Sequence, residues 1–274
     1  MRRPQGTRRA GAAIGFYFEE MSFFRTLGTS AQAMPKEERR SLVLAGRDVP
    51  LLIRTNPRAR RLTLRIEPGG RGLRLTVPPR TRRRDIEAFL SRNEAWAAER
   101  IEALPTASKV GVGSLVPIAG EPHRIEHTGR LRGLPERIGS PGSDGPVLRV
   151  SGLEDRAGAR VAGYLKAEAR RAIEPAVARH TATIGRSAKA VRIKDTRSRW
   201  GSCTSDGALS FSWRLAMAPP PILDYLVAHE VAHLEHMNHG PDFWSLCRRL
   251  APQTDEAKAW LKANGSALHA YEFG

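Results

Sequence analysis

The chain has 274 residues, 41% of them hydrophobic, so it is long enough to bury one large core or two smaller ones. It has only two cysteines and no run of about 18 apolar residues, which excludes a disulfide-rich secreted domain and a membrane-spanning helix and favours a cytoplasmic protein. The formal net charge of +17 is consistent with attraction to nucleic acid or another polyanion.

Residues 1–40 show no sustained hydrophobic period, so we predict a disordered extension there. Residues 41–150 carry 20 basic and 11 acidic side chains, a net charge of +9. Residues 151–274 carry 17 basic and 13 acidic side chains, a net charge of +4. The basic excess therefore lies mainly in the front half. Few aromatic residues are interleaved with these arginines, so an arginine-biased, solvated surface is the main alternative to a nucleic-acid site.

Residues 41–150 are predicted to form a β-rich N-terminal region with one helix. Apolar and polar residues alternate on both sides of EPGGRG, which is typical of a hairpin. The alternating apolar residues are Leu62, Leu64, Ile66, Leu73, Leu75 and Val77. Amphipathic spacing then predicts a single helix over residues 82–103, with Thr81 as its N-cap. Short strands are expected near residues 115–118, 123–126 and 147–150, and a loop in IGSPGSDGP.

Residues 151–274 are predicted to form the catalytic region. A long helical pattern covers residues 154–184 and stops near Gly185. Strands follow in AVRIKD and on both sides of the turn TSDGA, whose Asp-Gly dipeptide is a strong hairpin signal. Three consecutive prolines, residues 219–221, then mark the start of a buried helix with an apolar stripe.

That helix leads into AHEVAHLEHMNHG, which contains four histidines and two glutamates. His229, Glu230 and His233 form the motif H-E-x-x-H. On a helix, residues four apart point in the same direction, so both imidazoles can reach one metal ion. The carboxylate of Glu230 is then placed to accept a proton from a metal-activated water. The helical context is the one that this chemistry requires.

A tetrahedral catalytic zinc site needs a third protein ligand. On a straight helix His229 and His236 would be roughly 10 Å apart along the axis, which is too far for one ion. His239 is favoured instead, because the chain can turn back if the helix ends near Met237 or Asn238, and the following Gly-Pro dipeptide blocks further helix. His236 then becomes a surface histidine or one that supports a ligand.

Several alternatives stay open at this point. Glu235 and Asp242 are weaker candidates for the third ligand. A structural zinc site usually closes with cysteine ligands, and no C-x-x-C occurs here. The histidines could also share a helix by accident, with Glu230 solvated. The spacing H-E-x-x-H-x5-H is that of the metzincins, but His236 occupies the position of their glycine, which argues against that family.

Three stretches, SRWGSC, SWRLAMAPPPILDYLVAHEVAHLEHMNHGPDFW and WLKANGSALHAY, resemble the YgjP-like metallopeptidases, which are gluzincin-type zinc hydrolases distantly similar to SprT-type proteases. The resemblance is specific over residues 190–271 and looser in the front half, through RRLTLRIEPGGRGLRLTVPPR. It implies zinc held by His229, His233 and His239, with Glu230 as the catalytic glutamate. It also implies an α+β fold of the minimal zincin type, in which a small antiparallel sheet packs beside the H-E-x-x-H helix.

The hairpin before this helix carries SRWGSC. We predict that it borders the cleft and that Arg199 and Trp200 contact substrate, because an extended peptide can add a strand to such a sheet. The alternative is that Trp200 belongs to the core, Arg199 pairs with a local acid and Gly201 permits close packing.

We therefore predict a zinc-dependent peptidase that acts on a peptide or an unfolded protein, with Glu230 as general base. The alternative is a nucleic-acid-associated protein, or a protease recruited to DNA, that uses NPRARRLTLR and PPRTRRRD in its basic front half. No pattern in the sequence predicts an oligomeric state.

Overall fold

The computed structural model describes residues 36–102, 108–139, 145–196 and 199–274. The predicted extension falls mostly outside these residues, but its last four, residues 37–40, belong to a strand. The chain divides into two compact units, each built from separate stretches. We call them the sheet unit, with the described residues among 17–116, 122–162 and 260–274, and the histidine unit, with those among 117–121 and 163–259. The predicted domain boundary at residue 150 stays a prediction.

The sheet unit begins with a four-stranded sheet. Its strands are β1 (Glu37–Leu44), β2 (Arg47–Thr55), β3 (Thr63–Ile66) and β4 (Leu73–Val77), in the order β1-β2-β4-β3. The predicted hairpin is confirmed, since β3 and β4 are antiparallel and Leu64 is paired with Leu75. β2 and β4 are parallel neighbours. The alternating apolar side chains of the sheet, such as Leu51 and Leu73, form its buried core.

Two helices, α1 (Arg83–Arg92) and α2 (Glu94–Glu102), share this core. The prediction of one continuous helix is therefore wrong. The chain breaks at the buried Asn93, whose side-chain amide donates to the carbonyl of Phe89 at 2.7 Å and competes with helical bonding. Thr81 is not the N-cap, because its hydroxyl donates to the Pro78 carbonyl at 2.8 Å. Residue 103, the last of the predicted helix, lies outside the described residues.

A second four-stranded sheet follows the helices. Its strands are β6 (Leu115–Ile118), β7 (Glu121–His127), β8 (Glu136–Ile138) and β9 (Val147–Val150), in the order β6-β7-β9-β8. The three short strands predicted in this region are confirmed. A two-residue strand, β5 (Ser108–Lys109), pairs in parallel with β13 (Tyr271–Glu272) near the end of the chain. Most of the loop predicted in IGSPGSDGP, residues 140–144, lies outside the described residues.

The long predicted helix is α3 (Ala157–Ile184), and it ends at Gly185, whose φ of 66° is left-handed. Three short strands come next: β10 (Ala190–Lys194), β11 (Gly201–Cys203) and β12 (Ala208–Ser212). The last helices are α4 (Pro220–Ala232), α5 (Pro241–Leu250) and α6 (Thr254–Ala270). In the described part of the chain, no helix is both long and apolar enough to cross a membrane.

The small sheet of the histidine unit has the order β10-β12-β11. The hairpin predicted around TSDGA is confirmed, because β11 and β12 are antiparallel. β10 pairs with β12 in parallel, so the sheet is mixed and not antiparallel as we predicted. A hairpin signal determines only the two strands that the turn joins. The direction of the third strand depends on long-range packing that a period-two pattern does not encode.

Candidate metal centre

Helix α4 carries the first two predicted metal ligands. Prolines occupy its first turn, where a missing N–H is tolerated, and His233 is at the C-cap position. All eight residues from 225 to 232 are buried, so the second half of the helix is buried on every side. His229 and Glu230 are therefore polar side chains held inside an apolar helix. Burying such groups is unfavourable unless they have partners, which points to a functional role.

The turn after α4 brings the third histidine back to the helix. We predicted a helix end near residues 237–238, but α4 ends at Ala232. The N–H groups of Leu234 and His236 then donate to carbonyls in the last helical turn, and α5 begins directly after Gly240. This early stop, with His233 at the C-cap position, lets the chain reverse within a few residues.

The three predicted ligands converge. Each of His229, His233 and His239 offers a ring nitrogen, and these atoms all lie within 4.8 Å of one another. The Nε2 atoms of His229 and His239 are 3.1 Å apart. Ligand atoms in a tetrahedral zinc site are about 3.4 Å apart for zinc–nitrogen bonds of about 2.1 Å, so this spacing fits zinc. The cluster includes neither Glu235, which pairs with Arg186 at 3.1 Å, nor Asp242.

Hydrogen bonds orient two of these rings. Nδ1 of His233 is 3.0 Å from the carbonyl oxygen of His236, to which it must donate, and this leaves Nε2 as the acceptor nitrogen. The Tyr225 hydroxyl lies 3.5 Å from Nδ1 of His229. Metal-binding histidines usually have such a partner for the second nitrogen. His236 thus supports the site with its backbone and not with its ring.

Burial keeps the imidazoles neutral. It lowers the pKa of His229 well below its ordinary value of 6.5, helped by the neighbouring rings. It also lowers the pKa of His233 to about 4, and it lowers the pKa of His239, where the positive charge of Lys258 acts in the same direction. Histidine binds metal in its neutral form, so this donor set needs no deprotonation at pH 7. Three neutral imidazoles at this spacing are typical of zinc sites.

Aromatic side chains of α5 surround the cluster. The buried ring of Phe243 has its centroid 4.5 to 4.9 Å from those of all three histidines. The ring of Trp244 packs against His239 at 5.5 Å, and the ammonium group of Lys258 lies 4.2 Å from the Trp244 centroid. These contacts hold the loop that carries His239 and shield one side of the site.

Glu230 lies beside strand β11, with 5% of its surface exposed. Burial raises the pKa of its carboxyl group from 4.5 to about 8, and the positive charge of Arg199 acts in the opposite direction. A Cβ atom at Gly201 would lie 2.5 Å from Oε1 of Glu230 and 2.6 Å from its Cγ. Only glycine therefore allows the carboxylate to lie against the strand. The sequence suggested close packing at Gly201 but carried no signal for its partner.

The two predicted substrate contacts differ in their surroundings. Trp200 has 6% of its surface exposed, which favours a role in the core over a contact with substrate. Arg199 is half-buried, and its carbonyl accepts a 2.6 Å hydrogen bond from the Thr196 hydroxyl. Its charge reaches Glu230, where it favours the ionised carboxylate. A contact of Arg199 with substrate stays a prediction.

The family comparison agrees with this geometry. A family model described as YgjP-like, metallopeptidase domain matches residues 60–264, which is 205 of the 274 residues. The chain belongs to the YgjP-like family. The matched YgjP-like segment includes the three histidines, Glu230 and Gly201. Membership of this metallopeptidase family supports a peptidase and implies a divalent metal. Comparisons with curated proteins and with solved structures found no match.

Substitution of Gly201 by alanine is expected to lower kcat/KM for an unfolded casein substrate about 100-fold, since small displacements of a catalytic group have effects of this size. The three atoms nearest to the added methyl group all belong to Glu230, so the carboxylate is displaced while the metal content should not change. Gly163→Ala is the matched control, because a Cβ atom there meets nothing within 4 Å. Wild-type activity in Gly201→Ala would show that the contact with Glu230 does not matter.

Proposed function

We propose that the protein is a zinc-dependent peptidase in which Glu230 is the general base. The observation that carries this proposal is the convergence of three imidazoles, one of them from His229 on α4, where the buried carboxylate of Glu230 follows directly in the sequence. His229, His233 and His239 would hold the zinc ion. Bound zinc supplies a Lewis acid that polarises a carbonyl and acidifies a water molecule. The packing of α4 against β11 is the arrangement expected of a minimal zincin fold.

In this proposal Glu230 moves the proton. Its carboxylate accepts a proton from the attacking water and passes it to the nitrogen of the departing amine. It must be ionised to do so, and the charge of Arg199 already favours that form. A bound divalent cation acts in the same direction. The surrounding apolar side chains exclude bulk water and strengthen these interactions.

In this proposal the substrate binds along the edge of β11. β11 is an edge strand of the small sheet, paired on one side with β12. Its other side can pair with an extended peptide, which would form backbone hydrogen bonds regardless of side-chain sequence. Gly201 in this strand contacts Glu230, so a peptide on β11 would pass close to the general base. This arrangement favours unfolded segments over folded proteins as substrates.

The two buried free cysteines agree with the cytoplasmic location that we propose.

Removal of the metal tests the proposed function. Treatment with 1,10-phenanthroline should abolish hydrolysis of unfolded casein, and one equivalent of zinc should restore it. Zinc at about 1,000 times its dissociation constant should also stabilise the folded protein by about 4 kcal/mol, seen as a higher melting temperature. Hydrolysis that continues in the presence of the chelator would contradict the proposal. So would a melting temperature that does not change when zinc is added.

A further inference from the structure

Two arginine-rich segments that the catalytic proposal does not use, residues 56–61 and 78–84, leave the first sheet at the same end. β2 and β4 are parallel, and their last residues, Thr55 and Val77, are paired. The N–H of Asn56 donates to the Val77 carbonyl at 3.0 Å. Because parallel neighbours end at the same edge of a sheet, the two segments start side by side although some 20 residues separate them in the sequence.

The other two strands add to this end. β1 begins there, since the N–H of Thr55 donates to the Lys36 carbonyl at 3.0 Å. The first arginine segment also leads into β3, which is antiparallel to β4 and therefore starts where β4 ends. We define the basic end as residues 36–38, 54–61 and 78–85. It carries nine basic and three acidic side chains, a net charge of +6.

Part of this charge is neutralised within the protein. Arg83 pairs with Glu38 at 2.7 Å, and Arg54 and Arg84 have acidic partners at 3.5 and 3.7 Å. Five other arginines belong to the basic end: Arg58, Arg60, Arg61, Arg80 and Arg82. Arg58, Arg60 and Arg80 are exposed, and no carboxylate of the described chain lies within ion-pair distance of them. Exposed guanidinium groups without such partners are available to bind phosphate oxygens in pairs.

The chemistry of the basic end favours a double-stranded partner. Proteins that bind single strands combine positive charge with aromatic rings on which bases stack. Residues 36–85 contain no aromatic residue, so they offer charge without a stacking surface. Contacts from arginine to the phosphate backbone suffice for binding a duplex without sequence preference. We propose that the basic end binds the phosphate backbone of double-stranded nucleic acid. Binding of nucleic acid at the basic end does not depend on the proposed peptidase activity.

The test is binding of the full-length protein to a fluorescent DNA duplex of about 20 base pairs, measured by anisotropy at about 50 to 200 mM salt. The variant replaces Arg58, Arg60 and Arg80 with serine. Its affinity should fall at least tenfold at the higher salt. The plot of log affinity against log salt should be shallower by about three, one for each lost phosphate contact. A triple lysine variant at the same positions should keep the wild-type salt slope, because lysine keeps the charge, and should lose less affinity than the serine variant although it cannot bind two phosphate oxygens at once.

A matched variant controls for net charge. It replaces three exposed arginines outside the basic end with serine: Arg92, Arg130 and Arg132. These substitutions remove the same amount of positive charge. This variant should keep wild-type affinity within about twofold, since its side chains contact no phosphate in the proposal. An equal loss of affinity in both serine variants would overturn the proposal. So would tighter binding of single-stranded DNA, or binding of polyglutamate as tight as that of the duplex, which would indicate an acidic protein partner.

Discussion

Replacement of Glu230 by glutamine is expected to lower kcat/KM for unfolded casein by about 10²- to 10⁴-fold, the usual contribution of a general base. Glutamine has nearly the same shape but cannot accept the proton. Its amide also fits against Gly201, where the glutamate now lies. Zinc content should stay at one per chain, because Glu230 is not in the histidine cluster. The measurement is steady-state hydrolysis together with metal analysis of the same samples.

The same substitution is also expected to change the stability of the metal-free protein. In the metal-free protein, burial raises the pKa of Glu230 from 4.5 to about 8, so the folded state resists ionisation of this group. Burial of Glu230 therefore does not reduce the free energy of unfolding of the metal-free protein below pH 4.5. The free energy of unfolding decreases as the pH rises towards 8. Glutamine cannot ionise, so metal-free Glu230→Gln should be more stable than wild type by a few kcal/mol at pH 8 and similar to it near pH 4.5. Urea unfolding at both pH values measures the difference.

The exposed Glu235 supplies the control. It pairs with Arg186 at the surface, so Glu235→Gln should change hydrolysis by less than about twofold and show no such pH-dependent gain in stability. Glu230→Gln with wild-type turnover would remove Glu230 from the mechanism. A loss of zinc in this variant would instead mean that the carboxylate supports the metal directly.

Much of the histidine site could be predicted from the sequence because its signals are local. The H-E-x-x-H spacing, the prolines before it and the Gly-Pro after it all act within some 20 residues. Geometry along a helix was enough to prefer His239 over His236, and the structure brings His239 to the cluster. The hairpins were predictable for the same reason, since a two-fold alternation and a turn sequence describe neighbouring strands.

The features that were missed depend on contacts distant in the sequence. The close packing of Glu230 against Gly201 joins residues 29 positions apart, and nothing near the glycine indicates a carboxylate. The parallel pairing of β2 with β4 and of β10 with β12 depends on how elements pack, not on local periodicity. The break at Asn93 is a local event, but amphipathic spacing continues on both sides of it and hides it. A side-chain hydrogen bond to the backbone decided the outcome there.

Substitution of His239 by alanine is expected to abolish stoichiometric zinc binding and hydrolysis together. A catalytic zinc site needs three protein ligands, and the remaining two, His229 and His233, would leave two positions open. Changes in residues that only support a ligand reduce metal affinity by about 10- to 100-fold, so loss of a ligand should exceed that range. Metal analysis after dialysis and competition with a chelating dye measure the effect. Circular dichroism establishes that the variant folds.

His236→Ala is the decisive comparison, because it removes a histidine three residues away and leaves the proposed ligands intact. The ring of His236 is not in the cluster. What His236 contributes is its backbone carbonyl, 3.0 Å from Nδ1 of His233, and alanine keeps that carbonyl. His236→Ala should therefore retain one zinc per chain and nearly full activity. Zinc that is lost with His236 and kept without His239 would mean that the ligand set is wrong, whatever the peptidase assay shows.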